Sequence, residues 1–148
     1  MMVHAPKYGQ ALRVIGQTLE ELHLIAFSIK SEGKGYLIQG YAEESEPVEL
    51  RYTNADIQHM DRKRRAMRSD PFRMPDFRNL SQLLRAAGSY LESKEGRLLA
   101  ISKQLGAVTS FTIQYDSGEH HKEEKHLASS LYDLCLRMYR QRKAAKAK

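Results

Sequence analysis

Residues 11–20 read ALRVIGQTLE and residues 83–92 read LLRAAGSYLE, and this match limits the possible folds more than any other feature of the chain. Leu12 agrees with Leu84, Arg13 with Arg85, Gly16 with Gly88, Leu19 with Leu91 and Glu20 with Glu92, all at an offset of 72. Further on, Tyr36, Ile38 and Gln39 meet Phe111, Ile113 and Gln114 at an offset of 75, and Ile57 and Met60 meet Leu131 and Leu134 at 74. One supersecondary unit therefore reads as occurring twice.

Periodicity supplies the unit. Leu12, Ile15, Leu19 and Leu22 form the stripe of an amphipathic helix. Ile25, Phe27 and Ile29 alternate as a strand does, Ser31-Glu32-Gly33-Lys34-Gly35 is a turn, and Tyr36, Ile38 and Tyr41 complete a hairpin. Val48, Leu50 and Tyr52 alternate again. Thr53 with Asp56 three residues on predicts the start of a helix through Ile57, Met60 and Met67. The second half predicts a helix over 79–92 and strands over 98–102 and 108–115. A third strand, over 119–126, lacks apolar alternation, and a last helix carries Leu127, Leu131, Leu134, Cys135 and Met138 on one side. The fold class is α+β: an internal duplication of a helix-strand-strand-strand-helix unit packed as one pseudo-twofold domain. The units span 8–69 and 77–142, joined by a connector over 70–76 that Pro71 and Pro75 stiffen. Residues 143–148 are expected to be a basic, disordered tail.

Each unit alone buries little core, so the two are expected to pack as one body. Gly16 and Gly88 support this, because glycine inside a helix costs about 0.8–1.0 kcal/mol relative to Ala, and a close helix crossing accounts for it at both places.

The helix, three strands, helix order of each half is similar to that of double-stranded-RNA-binding domains, and Lys122, Lys125 and Ala128 fall near that family's basic helix start. The first half has Arg51-Tyr52-Thr53 there, so the similarity is one of topology and no family is assigned.

With 41% hydrophobic and 28% charged residues, the chain can build a core and is not of a disordered class. One cysteine, Cys135, points to a reducing compartment. With no apolar stretch of about 20 residues and no leader-like start, a cytoplasmic protein without membrane contact is expected. The net charge of +6 is concentrated: 61–85 hold eight basic and three acidic residues, and 137–148 hold six basic and no acidic ones. Arg62, Lys63, Arg64, Arg65 and Arg68 form one cluster. Arg137, Arg140 and Arg142, with the following lysines, form the other.

Cations at helix C-termini gain about 0.3–1 kcal/mol each from the dipole, yet two or three would serve that purpose. The surplus, rich in arginine, suits bidentate phosphate contact. These eight residues are the expected site of a non-enzymatic protein that binds nucleic acid, DNA or RNA. The alternative is a protein-interaction module or homodimeric adaptor for an acidic partner, with Ile57, Met60 and Met67 at the interface. An enzyme assembled from sequence-distant residues ranks third.

No catalytic residue, metal or cofactor is assigned. His120, His121 and His126 with Glu119, Glu123 and Glu124 have ligand chemistry, but a strand so charged is more simply an edge that resists pairing with another chain. Lys34 lies in a turn between strands without phosphate-loop spacing. Cys135 reads as a small core residue. Tyr36, Phe111 and Tyr115 follow the apolar alternation and read as core, not as base-stacking groups.

Overall fold

The computed structural model describes residues 7–42, 46–66, 79–103 and 109–146, the side chains of 64–66 and 142–146 excepted. In chain order it has α1 (Tyr8–Leu22), β1 (Ala26–Glu32), β2 (Gly35–Tyr41), β3 (Val48–Thr53), α2 (Asn54–Ala66), α3 (Leu80–Ser93), β4 (Arg97–Lys103), β5 (Ser110–Ser117), β6 (His120–Leu127) and α4 (Ala128–Lys146). The strands form one antiparallel sheet in the order β3-β2-β1-β4-β5-β6. Among the described residues the fold is α+β, with four helices and six strands.

One sheet face carries the core. The register lines up Leu50, Ile38, Ile29, Ile101 and Ile113 across five strands. Phe27, Tyr36, Phe111 and Tyr115 join them in one cluster with Leu12, Ile15 and Leu19 of α1, Leu84 and Leu91 of α3, Ile57 of α2 and Leu131 of α4. Burying each large side chain is worth about 1.5–3 kcal/mol. Residues pointing to the other face, such as Lys30, Gln39, Glu49 and Arg51, are exposed.

The centre of the helical layer is the crossing of α1 and α3. A Cβ on Gly16 would stand 2.6 Å from the Ser81 Cα, and one on Gly88 would stand 2.5 Å from the Gly9 nitrogen. Backbone meets backbone at both places, so each glycine is there for the close approach. Glu20 secures one end of the crossing, since its Oε1 accepts the Ser81 N–H at 2.7 Å. This supplies the start of α3 with the cap that Asn79 does not provide.

Three local expectations shift. Leu127 is the last residue of β6, paired with Ser110 and 43% exposed, because the hairpin runs one residue longer than the helical stripe suggests. Lys122 and Lys125 lie within β6, ahead of the helix that begins at Ala128. The expected disordered tail is helical as far as Lys146; Ala144 and Ala145 are strong helix formers, and lysines in a last turn complement the dipole. Met67, Val108 and the connector over 70–76 lie outside the described residues.

Candidate functional site

The basic helices begin where strands end. Thr53 and Asp56 form a capping box: the Thr53 Oγ1 accepts the Asp56 N–H at 3.1 Å, and the Asp56 Oδ2 accepts the Thr53 N–H at 2.9 Å. The Thr53 backbone N–H first, and its side-chain hydroxyl second, hold the Asp56 carboxyl below its ordinary range. From this start α2 buries Ile57 and Asp61 against the protein, which leaves Arg62 and Lys63 exposed. On α4, Leu131 and Cys135 are buried four residues apart, and Arg137 and Arg140 are exposed.

Among the described residues none of these four cations has an ion pair. Arg64, Arg65 and Arg142 continue the two helices, but their side chains lie outside the described residues, as does the whole of Arg68. Because α2 packs on α1 and α4 on α3, the two clusters stand on opposite flanks of the central helix pair. Among the described residues, Arg62 and Lys63 are thus separated from Arg137 and Arg140 by α1 and α3.

Sequence reasoning missed two polar sites. The first lies under α3, where Glu124 of β6 accepts hydrogen bonds from the Tyr115 hydroxyl, from the Tyr90 hydroxyl at 2.6 Å and from His126 Nε2 at 3.1 Å. The Tyr90 and His126 rings meet edge to face, their centroids 4.8 Å apart. The two phenols, Tyr115 first, hold the Glu124 carboxyl below its ordinary range. In return the Glu124 bond pushes the Tyr115 hydroxyl up, and burial together with Glu124 pushes Tyr90 up. Glu124 and His126, read from sequence as part of an exposed edge, therefore face inward as a hydrogen-bonded network.

The second is an open cleft of about 230 Å³ at the start of α1, lined by Lys7, Tyr8, Tyr36, Asn54, Glu92 and the β1–β2 turn at Ser31, Gly33 and Gly35. Gly33 takes a positive φ of 48°, and a Cβ on Gly35 would stand 2.2 Å from the Tyr52 carbonyl oxygen, so the turn requires glycine at both positions. The Tyr8 hydroxyl accepts the Leu98 N–H at 3.2 Å. Burial, with Tyr8 and Glu92 alongside, pushes the Tyr36 hydroxyl up to about 12. Among the described residues the Glu92 Oε1 is enclosed and accepts no hydrogen bond. One signal for this site was present in the sequence: Glu92 matches Glu20 at the 72-residue offset.

Among the described residues no helix is long and apolar enough to cross a membrane. No family model matches the chain, and no curated protein matches it. Among solved structures it is similar, at 14% identity and a TM-score of 0.31, to a crystal structure described as that of a "putative lipoprotein" from Clostridium difficile; the match covers 84% of this chain and 96% of that one.

Proposed function

We propose that the chain is a non-enzymatic nucleic-acid-binding protein that meets phosphates through the basic flanks of α2 and α4, on a scaffold made of two copies of one helix-strand-strand-strand-helix unit. The duplication is supported by the repeated segment, which falls on α1 and α3, and by the paired glycines at their crossing. Further support comes from a sheet with β1 and β4 at its centre and β3 and β6 at its edges.

The observation that carries the binding reading is the position of Arg137 and Arg140. The helix dipole acts within the last turn, and α4 continues to Lys146. Both arginines therefore precede the turn in which a cation would serve the helix itself, and both are exposed. Exposed guanidinium groups without a carboxylate partner suit phosphate oxygens. A nucleic-acid backbone lying over the helical layer would meet one cluster on each flank.

Anisotropy titrations against duplex and single-stranded DNA and RNA at two salt concentrations test the reading. About six engaged phosphates on duplex DNA give a log-affinity against log-salt slope of roughly −5. Arg137→Glu with Arg140→Glu should weaken binding sharply with little change in melting temperature. A wild-type affinity that barely responds to salt, or a double variant that binds as before, overturns it; a salt-resistant dimer in sedimentation would favour the interaction module.

A further inference from the structure

The two edges of the sheet differ in what they offer another chain. We propose that β3 is the contact of a twofold dimer, pairing antiparallel with the β3 of a second copy so that Leu50 faces the partner's Leu50 across the axis and the two sheets join into one.

The outward main chain of β3 follows from its pairing with β2. The Asn54 N–H, one residue past the strand, donates to the Lys34 carbonyl at 2.8 Å, in step with the pairing of Thr53 with Gly35 and of Tyr52 with Tyr36. Residues that bond a given neighbour alternate along an antiparallel strand. Val48, Leu50 and Tyr52 therefore turn their N–H and C=O groups to β2, and Glu49, Arg51 and Thr53 turn theirs to the open side. The Thr53 N–H is taken by Asp56, and Pro47, the next outward residue, has no N–H to give. The outward donors are thus those of Glu49 and Arg51, and among the described residues neither has a main-chain partner on that side.

Their charges select one register. A coplanar twofold pairing sets one residue of the strand opposite its own copy, since any other arrangement matches side chains of opposite faces. Centred on Glu49 or on Arg51, it sets like charges against each other. Centred on Val48 or Tyr52, it meets Pro47 or the occupied Thr53 N–H. Centred on Leu50, it sets Glu49 opposite the partner's Arg51 and Arg51 opposite the partner's Glu49. These are the outward residues, so each such pair also exchanges both of its main-chain hydrogen bonds. Val48 and Tyr52, half-buried with Leu50 at the margin of the core, meet the partner's Tyr52 and the partner's Val48 and continue the apolar layer across the axis. Within one chain Arg51 lies 3.5 Å from Glu49 and 3.9 Å from Glu32, and its side chain is 69% exposed, so nothing prevents it from reaching across.

The other edge does not allow this. On β6, a twofold pairing centred on Lys122, Glu123, Glu124 or Lys125 sets that charge against its own copy, which destabilises a cross-strand pair. The self-complementary contact belongs to one edge only and closes at two chains. Salt screens its exposed charge pairs, which separates it from a dimer held by Ile57, Met60 and Met67.

Sedimentation equilibrium of the full chain at low salt, without nucleic acid and from micromolar to millimolar concentration, tests the contact. The wild type should associate reversibly to a dimer. Glu49→Arg and Arg51→Glu should each raise the dissociation constant about tenfold or more, because two opposite-charge pairs become two like-charge pairs. The double variant carrying both changes restores the complement and should return to within about threefold of the wild type. Both side chains are exposed, so the monomers should fold alike by circular dichroism, and a folding defect could not produce the rescue. A wild type that stays monomeric at millimolar concentration, single variants that dimerise as the wild type does, or a double variant no tighter than the single ones overturns the proposal.

Discussion

Where α2 packs on α1, Arg13 is ion-paired with Asp61, to which Gln10 also donates at 2.8 Å, with the two charged side chains only 11% and 4% exposed. Where α4 packs on α3, the arginine repeated at that position, Arg85, faces Cys135, whose Sγ donates to the Gln82 carbonyl at 3.1 Å. Burial pushes that thiol up against the opposing pull of Arg85. The edge strands reverse the contrast. The inward residues of β3 are Val48, Leu50 and Tyr52, whereas those of β6 include Glu124 and His126, tied to Tyr90 and Tyr115. The first half thus keeps a carboxylate on the helix flank where the second has a thiol, and the second keeps one on the sheet edge where the first has apolar residues. Similar backbone order accepts a charge in either place, provided that donors from neighbouring elements surround it.

The comparison is tested most severely at the helix flanks. Asp61→Ala leaves the Arg13 charge buried without its carboxylate and should cost about 3–5 kcal/mol. Cys135→Ala should cost about 1 kcal/mol, the order for deleting one buried heavy atom. Urea midpoints decide, and equal losses would erase the difference between the flanks.

The glycines of the crossing should respond alike, because the neighbour is backbone at both. Gly88→Ala and Gly16→Ala are each expected to lose about 1–3 kcal/mol through overpacking, read as lowered melting temperatures. A neutral result at one of them would show that the two ends of the crossing are not equivalent.

The smallest effect belongs to the sheet edge. The Glu124 carboxyl titrates lower in the folded chain than in the unfolded one. Its contribution is therefore complete above the ordinary carboxylate value of about 4.3 and is lost as pH falls through the folded value. Glu124→Gln should cost about 1–2 kcal/mol at neutral pH and flatten the acid limb of the stability curve. Leu50→Ala on β3 should change stability without changing that limb.

Helix stripes, the hairpin turn and the capping box at Thr53 were legible because each depends on residues within one or two turns of one another. Asp61 was not, since it sits between Met60 and Arg62 in a charged stretch and its partners, Gln10 and Arg13, come from another helix. Glu124 and His126 resembled a solvated edge because their partners belong to α3 and β5. The cleft draws on the start of α1, the first hairpin, the start of α2 and the end of α3, so no window of sequence contains it. What the sequence did hold was indirect: Arg13 with Arg85 and Glu20 with Glu92 are polar identities at the same 72-residue offset, where only apolar identities are needed to explain a core.

The pairing of β1 with β4 at the centre of the sheet bears on how the chain is made. Phe27 and Ile29 have to wait for Lys103 and Ile101, so during synthesis the first hairpin emerges with its inner edge open until most of the chain has followed. An unpaired strand of that kind accepts any matching edge, and the nearest match is the β4 of another copy. At high concentration, refolding is therefore expected to compete with exchange of halves between chains, and slow or dilute refolding should favour the monomer.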